Sequence, residues 1–140
     1  MATKISDPDV KKIIAGDALL LVKEADRFGH ELADDKLAKS QIRNAYGTVR
    51  QIRATWADDV EDTDEVRKQL RKVLLLKPRL AYQAKRDKDQ KLKPLADVLT
   101  VAIDHIADGK TPKEQTDSFG CFVDMFEAIL AYHTAYEKKG

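Results

Sequence analysis

The chain has 140 residues, of which 43% are hydrophobic and 35% are charged. This length suits one domain with one core, and this balance favours amphipathic elements over a disordered tail or a membrane span. We therefore expect a single domain over residues 1–140, located in the cytoplasm, because residues 1–6 show no export signal.

Charge is distributed unevenly along the chain, although the formal net charge is only +1. Residues 36–93 contain 16 Lys and Arg against 8 Asp and Glu, whereas the rest of the chain contains 9 against 16. A basic middle between acidic ends predicts a polyanionic partner on one side of the molecule.

Apolar residues recur at helical spacing over almost the whole chain, and no stretch alternates like a strand. The sequence predicts an all-α fold, a compact bundle of about five helices. The first helix is expected to begin at Asp7 and Pro8, with Asp7 as its cap. Gly16 and Asp17 are a possible interruption, and residues 28–29 are expected to end or bend this helix.

The second helix is predicted over residues 40–56, with Ser40 as its N-cap. Its buried stripe has three- and four-residue steps and consists of Ile42, Ala45, Val49, Ile52 and Trp56. After a linker at residues 58–64, a third helix is expected to begin near Glu65 and end near Asp87. It should kink or restart at Pro78, because proline lacks an amide hydrogen.

The last two helices complete the predicted bundle. One begins at about Leu92 and is capped by Gly109, and the other begins at Thr111 and Pro112. The final helix carries the most regular apolar face in the chain, formed by Phe119, Phe122, Phe126, Ile129, His133 and Tyr136. We expect it to be the central and most buried helix.

Basic side chains mark two candidate nucleic-acid contacts. Arg43, Arg50 and Arg53 share one edge of the second helix with Tyr46, where guanidinium groups could hold phosphates and the ring could stack a base. Residues 67–93 contain 11 basic residues against two acidic ones. Both patterns also occur on solvated helix faces, but the one-signed excess favours binding to a polyanion backbone without sequence preference.

No catalytic residue, metal site or cofactor is predicted. The three histidines lie on different predicted helices, and no pair of His or Cys has the spacing of metal ligands. Asp104, His105 and Asp108 could form the corner of a metal site, yet such residues near a helix end usually face solvent.

Three segments of the chain carry recognisable motifs. Residues 39–44 are Lys-Ser-Gln-Ile-Arg-Asn, residues 76–86 end in Tyr-Gln-Ala-Lys-Arg, and residues 119–133 contain Phe-Glu-Ala-Ile and Ala-Tyr-His. In this order they resemble the Ser-Gln-Ile-Arg motif, the stretch of Tyr, spacer, Ala, Gly and Arg, and the closing helix of the small subunit of the type III-A CRISPR effector, the Csm complex. The chain departs from the family at Lys85, where glycine is common.

This resemblance implies a non-catalytic subunit that stacks head to tail with other copies as an inner filament. It would hold the backbone of target RNA paired with guide RNA (crRNA), while the neighbouring backbone and large subunits carry the cutting groups. The expected phosphate-facing surface consists of Arg43, Arg50, Arg53, Lys77, Arg79, Lys85 and Arg86, with Tyr82 and Gln41 as secondary members. The alternative is a helical adaptor that binds only proteins.

Overall fold

A computed structural model describes residues 2–56 and 63–137, which hold seven helices and no strand. The helices are α1 (Asp7–Ile14), α2 (Ala18–Asp34), α3 (Lys39–Thr55), α4 (Thr63–Leu74), α5 (Leu76–Arg86), α6 (Lys93–Ala107) and α7 (Pro112–Tyr136). The all-α prediction is confirmed. There are more than five helices because two of the predicted ones are each divided. Most of the predicted linker, residues 58–62, lies outside the described residues.

The two divisions have local causes. Gly16 has φ of +114°, a conformation that side chains rarely adopt, and the carboxylate of Asp17 then accepts a hydrogen bond from the amide of Leu20 at 3.0 Å to start α2. The second division falls at Leu75, which keeps right-handed helical angles. Pro78 is thus the third residue of α5, where its missing amide hydrogen leaves no bond unmade.

Two predicted caps are wrong by one or two residues. Ser6, and not Asp7, caps α1, because its hydroxyl accepts a bond from the amide of Asp9 at 3.3 Å. Helix α3 begins at Lys39 after Ala38, which makes no side-chain capping bond, so Ser40 lies inside the helix. Helix α7 begins at Pro112 as predicted.

Helix α7 runs through the centre of the bundle and packs against α1, α2, α3, α4 and α6. The predicted buried face is confirmed from Phe119 to His133, whereas Tyr136 at its end is 37% exposed. The Nε2 atom of His133 lies 2.8 Å from the carbonyl oxygen of Leu37 and so joins α7 to the connection between α2 and α3.

Gly29 shows how closely α2 and α7 approach. Helix α2 continues through Gly29 to Asp34, so the predicted end at residues 28–29 is wrong. A Cβ atom at Gly29 would lie 2.8 Å from the Cβ of Tyr132 and 3.0 Å from the backbone nitrogen of His133. The glycine therefore lets two helix backbones meet, and it does not terminate one.

None of the helices in the described part of the chain is long and apolar enough to span a bilayer.

Candidate nucleic-acid interface

Helices α3 and α5 stand apart and leave a groove between them. One end of the groove brings Gln41 of α3 beside Arg86 of α5, and the other end brings Thr55 beside Lys72 of α4. The two walls are therefore antiparallel, and the stretch from Gln41 to Thr55 gives a length of about 20 Å at 1.5 Å per residue. We call this channel the α3–α5 groove. Its two ends have volumes of about 500 and 360 Å³.

One wall of the α3–α5 groove is neutral and rich in hydrogen-bonding groups. It belongs to α3 and consists of Gln41, Asn44, Thr48, Gln51 and Thr55. These residues follow each other in steps of three and four, so they form one stripe along the helix. Beside this stripe, Ala45 and Val49 meet Phe122 and Phe126 in the apolar floor. The neutral wall is thus built directly on the core.

The opposite wall is cationic. Lys72, Arg79 and Arg86 are spaced by seven residues, which is nearly two helical turns, so they stay on one edge of α4 and α5. All three side chains are exposed, and none forms an ion pair with another described residue. The carboxylate of Asp87 lies at one end of the groove, but it accepts hydrogen bonds at 2.9 Å from the amides of Lys91 and Leu92.

Tyr82 adds an aromatic ring to the cationic wall. Its side chain is 62% exposed, and the guanidinium carbon of Arg86 lies 5.6 Å from the ring centroid. The same guanidinium is 3.4 Å from the Tyr82 hydroxyl. The Tyr82 ring therefore lies in the groove and is already in contact with the guanidinium of Arg86.

The predicted arginine edge lies on the other flank of α3. At 100° per residue, Arg43, Arg50 and Arg53 lie about 150° around the helix from the neutral wall. Burial, and then the negative charge of Glu127 on α7, raise the pKa of Tyr46. Arg50 and Arg53 oppose this shift, so both arginines lie near the Tyr46 hydroxyl. All three arginines are exposed, and they are without an ion pair among residues 2–56 and 63–137.

Tyr46 is half-buried and packs against α7. Its ring packs edge-on against Phe126 at a centroid distance of 5.2 Å, and its hydroxyl lies 3.4 Å from a carboxylate oxygen of Glu127. These contacts fix the ring against α7, and base stacking on Tyr46 stays a prediction. The ring belongs to the contact between α3 and α7.

Lys77 and Lys85 lie on the far side of α5, beside α6. There they border a separate cavity of about 590 Å³, which also includes Lys93 and Asp97. Lys77 is paired with Asp104, and the Nζ atom of Lys93 lies 3.2 Å from a carboxylate oxygen of Asp97. Part of the positive charge on this side is thus neutralised within the chain.

The structure divides the nine expected site residues into three strips. Gln41, Arg79, Tyr82 and Arg86 meet in the α3–α5 groove; Arg43, Arg50 and Arg53 lie on the outer flank of α3; Lys77 and Lys85 lie beside α6. Sequence reasoning missed Lys72 and every member of the neutral wall except Gln41. Lys72 could have been found from its seven-residue spacing with Arg79 and Arg86. The neutral wall could have been found from the unbroken polar stripe on α3.

Potential metal ligands do not gather in the described part of the chain. No cluster of three or more His, Cys, Asp or Glu that could hold a metal ion occurs in residues 2–56 and 63–137. Asp104, which was considered together with His105 and Asp108 as part of a metal site, is instead paired with Lys77.

Comparisons with known proteins identify the family. The family model described as Csm2 Type III-A matches residues 15–139, which is nearly the whole chain. No curated protein and no solved structure gave a match. The matched range includes all three segments that resemble the Csm small subunit, together with both walls of the α3–α5 groove. The chain thus belongs to the Csm2 Type III-A family and is a small subunit of the type III-A CRISPR effector, the Csm complex.

Proposed function

We propose that this subunit binds RNA backbone in the α3–α5 groove without sequence specificity and catalyses no reaction itself. The observation that carries the proposal is the pairing of a wall of three exposed cations with a neutral wall of amides and hydroxyls. Arginine and lysine hold phosphates, and neutral donors complete the contacts to sugar and phosphate oxygens. Neither kind of contact depends on base identity.

The arginines on the outer flank of α3 extend this role. They are exposed cations that lie on the same helix as the neutral wall, so an RNA strand that crosses the outer surface of α3 would reach both strips. In the Csm complex the RNA would be the target strand paired with guide RNA. Base pairing reads the sequence there, and the small subunit needs only to hold the backbone.

We further propose that copies of the subunit stack as an inner filament beside the backbone and large subunits. Exposed apolar side chains support a contact with protein: Leu19 is 87% exposed, and Val22 lies one turn away on α2 and is 50% exposed. Leu75, between α4 and α5, is 58% exposed. Large apolar groups at the surface are typical of interfaces. Membership in this complex supports the expected cytoplasmic location.

The test compares three variants that each lose three positive charges. The groove variant carries Lys72→Gln, Arg79→Gln and Arg86→Gln, and the flank variant carries Arg43→Gln, Arg50→Gln and Arg53→Gln. The matched control carries Lys12→Gln, Lys23→Gln and Lys110→Gln, which are exposed and line none of the cavities described above. Binding of a fluorescent single-stranded RNA is measured by anisotropy between 50 and 300 mM salt, about the range in which phosphate contacts dominate.

Each phosphate contact to single-stranded RNA contributes roughly 0.7 to the slope of log affinity against log salt. The groove variant should therefore reduce the slope by about two, while the control leaves it unchanged. The flank variant tests whether the outer arginines of α3 also contact the bound RNA strand. Equal slopes for wild type, groove variant and control would refute the groove as the binding site. If the wild-type chain binds no RNA at low salt, the protein adaptor becomes the better explanation.

A further inference from the structure

Tyr82 is an exposed aromatic ring whose placement the backbone-binding role does not explain. Its side chain is 62% exposed, although aromatic side chains usually bury most of their area. The Arg86 guanidinium lies over the ring, and no other ring of the described residues stacks against it. One face of Tyr82 is thus supported and the ring is open to a flat ligand.

The cavity beside Tyr82 offers unused hydrogen-bonding groups. Three side-chain amides line this end of the groove, from Gln41, Asn44 and Gln83. None of these amides forms a side-chain hydrogen bond within residues 2–56 and 63–137, in contrast to those of Gln69, Gln90 and Gln115. An amide carries both donors and an acceptor, which matches the edge of a nucleobase. The cavity volume of about 500 Å³ is large enough for such a ring.

We propose that this end of the α3–α5 groove receives one unpaired nucleobase, which stacks on Tyr82 with its edge toward the three amides. Arg79 and Arg86 line the same cavity and would hold the phosphates on either side of that nucleotide. This inference rests on the proposed RNA binding and adds a preference within it. A paired base has its edge engaged and its faces stacked, so the site selects an unpaired nucleotide over a continuous duplex.

The experiment uses the full chain and a single-stranded RNA with one 2-aminopurine, whose fluorescence falls when the base stacks on an aromatic ring. The variants are Tyr82→Ala, which removes the ring, and Tyr82→Phe, which keeps it. Because the side chain is mostly exposed, both variants should fold, and a thermal unfolding curve checks this. A fully paired RNA of the same length serves as the matched ligand.

Wild type and Tyr82→Phe should quench the 2-aminopurine and bind with similar affinity. Tyr82→Ala should lose the quenching and bind the single strand about 5- to 150-fold more weakly, the range measured for stacking one base on an aromatic ring. Its affinity for the paired RNA should stay at the wild-type value. If RNA binds and Tyr82→Ala behaves like wild type, the nucleobase site is refuted while groove binding stands. If wild type binds neither RNA, the proposed function fails as well.

Discussion

Replacing Gly29 by alanine should leave the protein as stable as wild type or less stable by up to about 2 kcal/mol, although alanine is the better helix former. In the interior of α2 the substitution by itself would gain about 1 kcal/mol of helix stability. The new Cβ atom, however, would lie 2.8 Å from the Cβ of Tyr132, 3.0 Å from the nitrogen of His133 and 3.1 Å from the carbonyl oxygen of Ile129. Two of these atoms are backbone atoms of α7, so α2 and α7 must move apart.

Gly47→Ala is the matched control. Gly47 lies inside α3, and a Cβ atom there would meet nothing within 4 Å. It should therefore show the gain of about 1 kcal/mol alone. The difference between the two variants then isolates the cost of forcing extra volume between α2 and α7, which is about 1–3 kcal/mol for overpacked cores.

Urea unfolding followed by circular dichroism measures this difference. With a slope of about 2 kcal/mol per M, the midpoint of Gly29→Ala should lie roughly 0.5–1.5 M below that of Gly47→Ala. Wild type should fall between the two or near Gly29→Ala. If Gly29→Ala is as stable as Gly47→Ala, then the close approach of α2 and α7 is wrong.

Two further predictions concern α7. His133→Ala should lower the free energy of unfolding by about 2–5 kcal/mol, because it opens a cavity and removes the hydrogen-bond partner that lies 2.8 Å from the Leu37 carbonyl oxygen. A loss below about 1 kcal/mol in urea unfolding would contradict this role. Burial, and then the negative charges of Asp124 and Asp117, raise the pKa of the Cys121 thiol. At pH 8 iodoacetamide should therefore alkylate Cys121 more slowly in the folded chain than in urea, and Asp124→Asn should accelerate the folded reaction; equal rates would refute the shifted pKa.

Helical periodicity predicted the core because apolar residues that recur every three to four positions lie on one face of a helix and are buried together. The stripe from Phe119 to His133 on α7 is buried, as predicted. The errors in helix ends and caps arose at residue types that occur in more than one structural role. Gly29 was expected to end a helix, yet the contact with α7 requires a residue without a side chain. Ser40 is a good cap by type, but the cap position falls two residues earlier, at Ala38.

The surroundings of Tyr46 were also not predictable from spacing. Spacing places it on the same edge as Arg50 and Arg53, and spacing alone does not tell which neighbour covers that edge. In the bundle α7 lies there, so the ring packs against Phe126 while the longer arginine side chains reach solvent. A difference in reach of a few atoms separates a half-buried ring from exposed guanidinium groups on one helix edge.

The cationic groove was beyond sequence reasoning because it depends on how α3 and α5 are arranged. The 11 basic residues of 67–93 surround α4 and α5, and a charge count cannot choose among the sides of a helix. Lys72, Arg79 and Arg86 share one edge, and the antiparallel arrangement of α3 brings the neutral wall to that edge. A search for uncharged polar stripes at helical spacing, alongside charged ones, would find such a wall, since nucleic-acid grooves need neutral donors as well as cations.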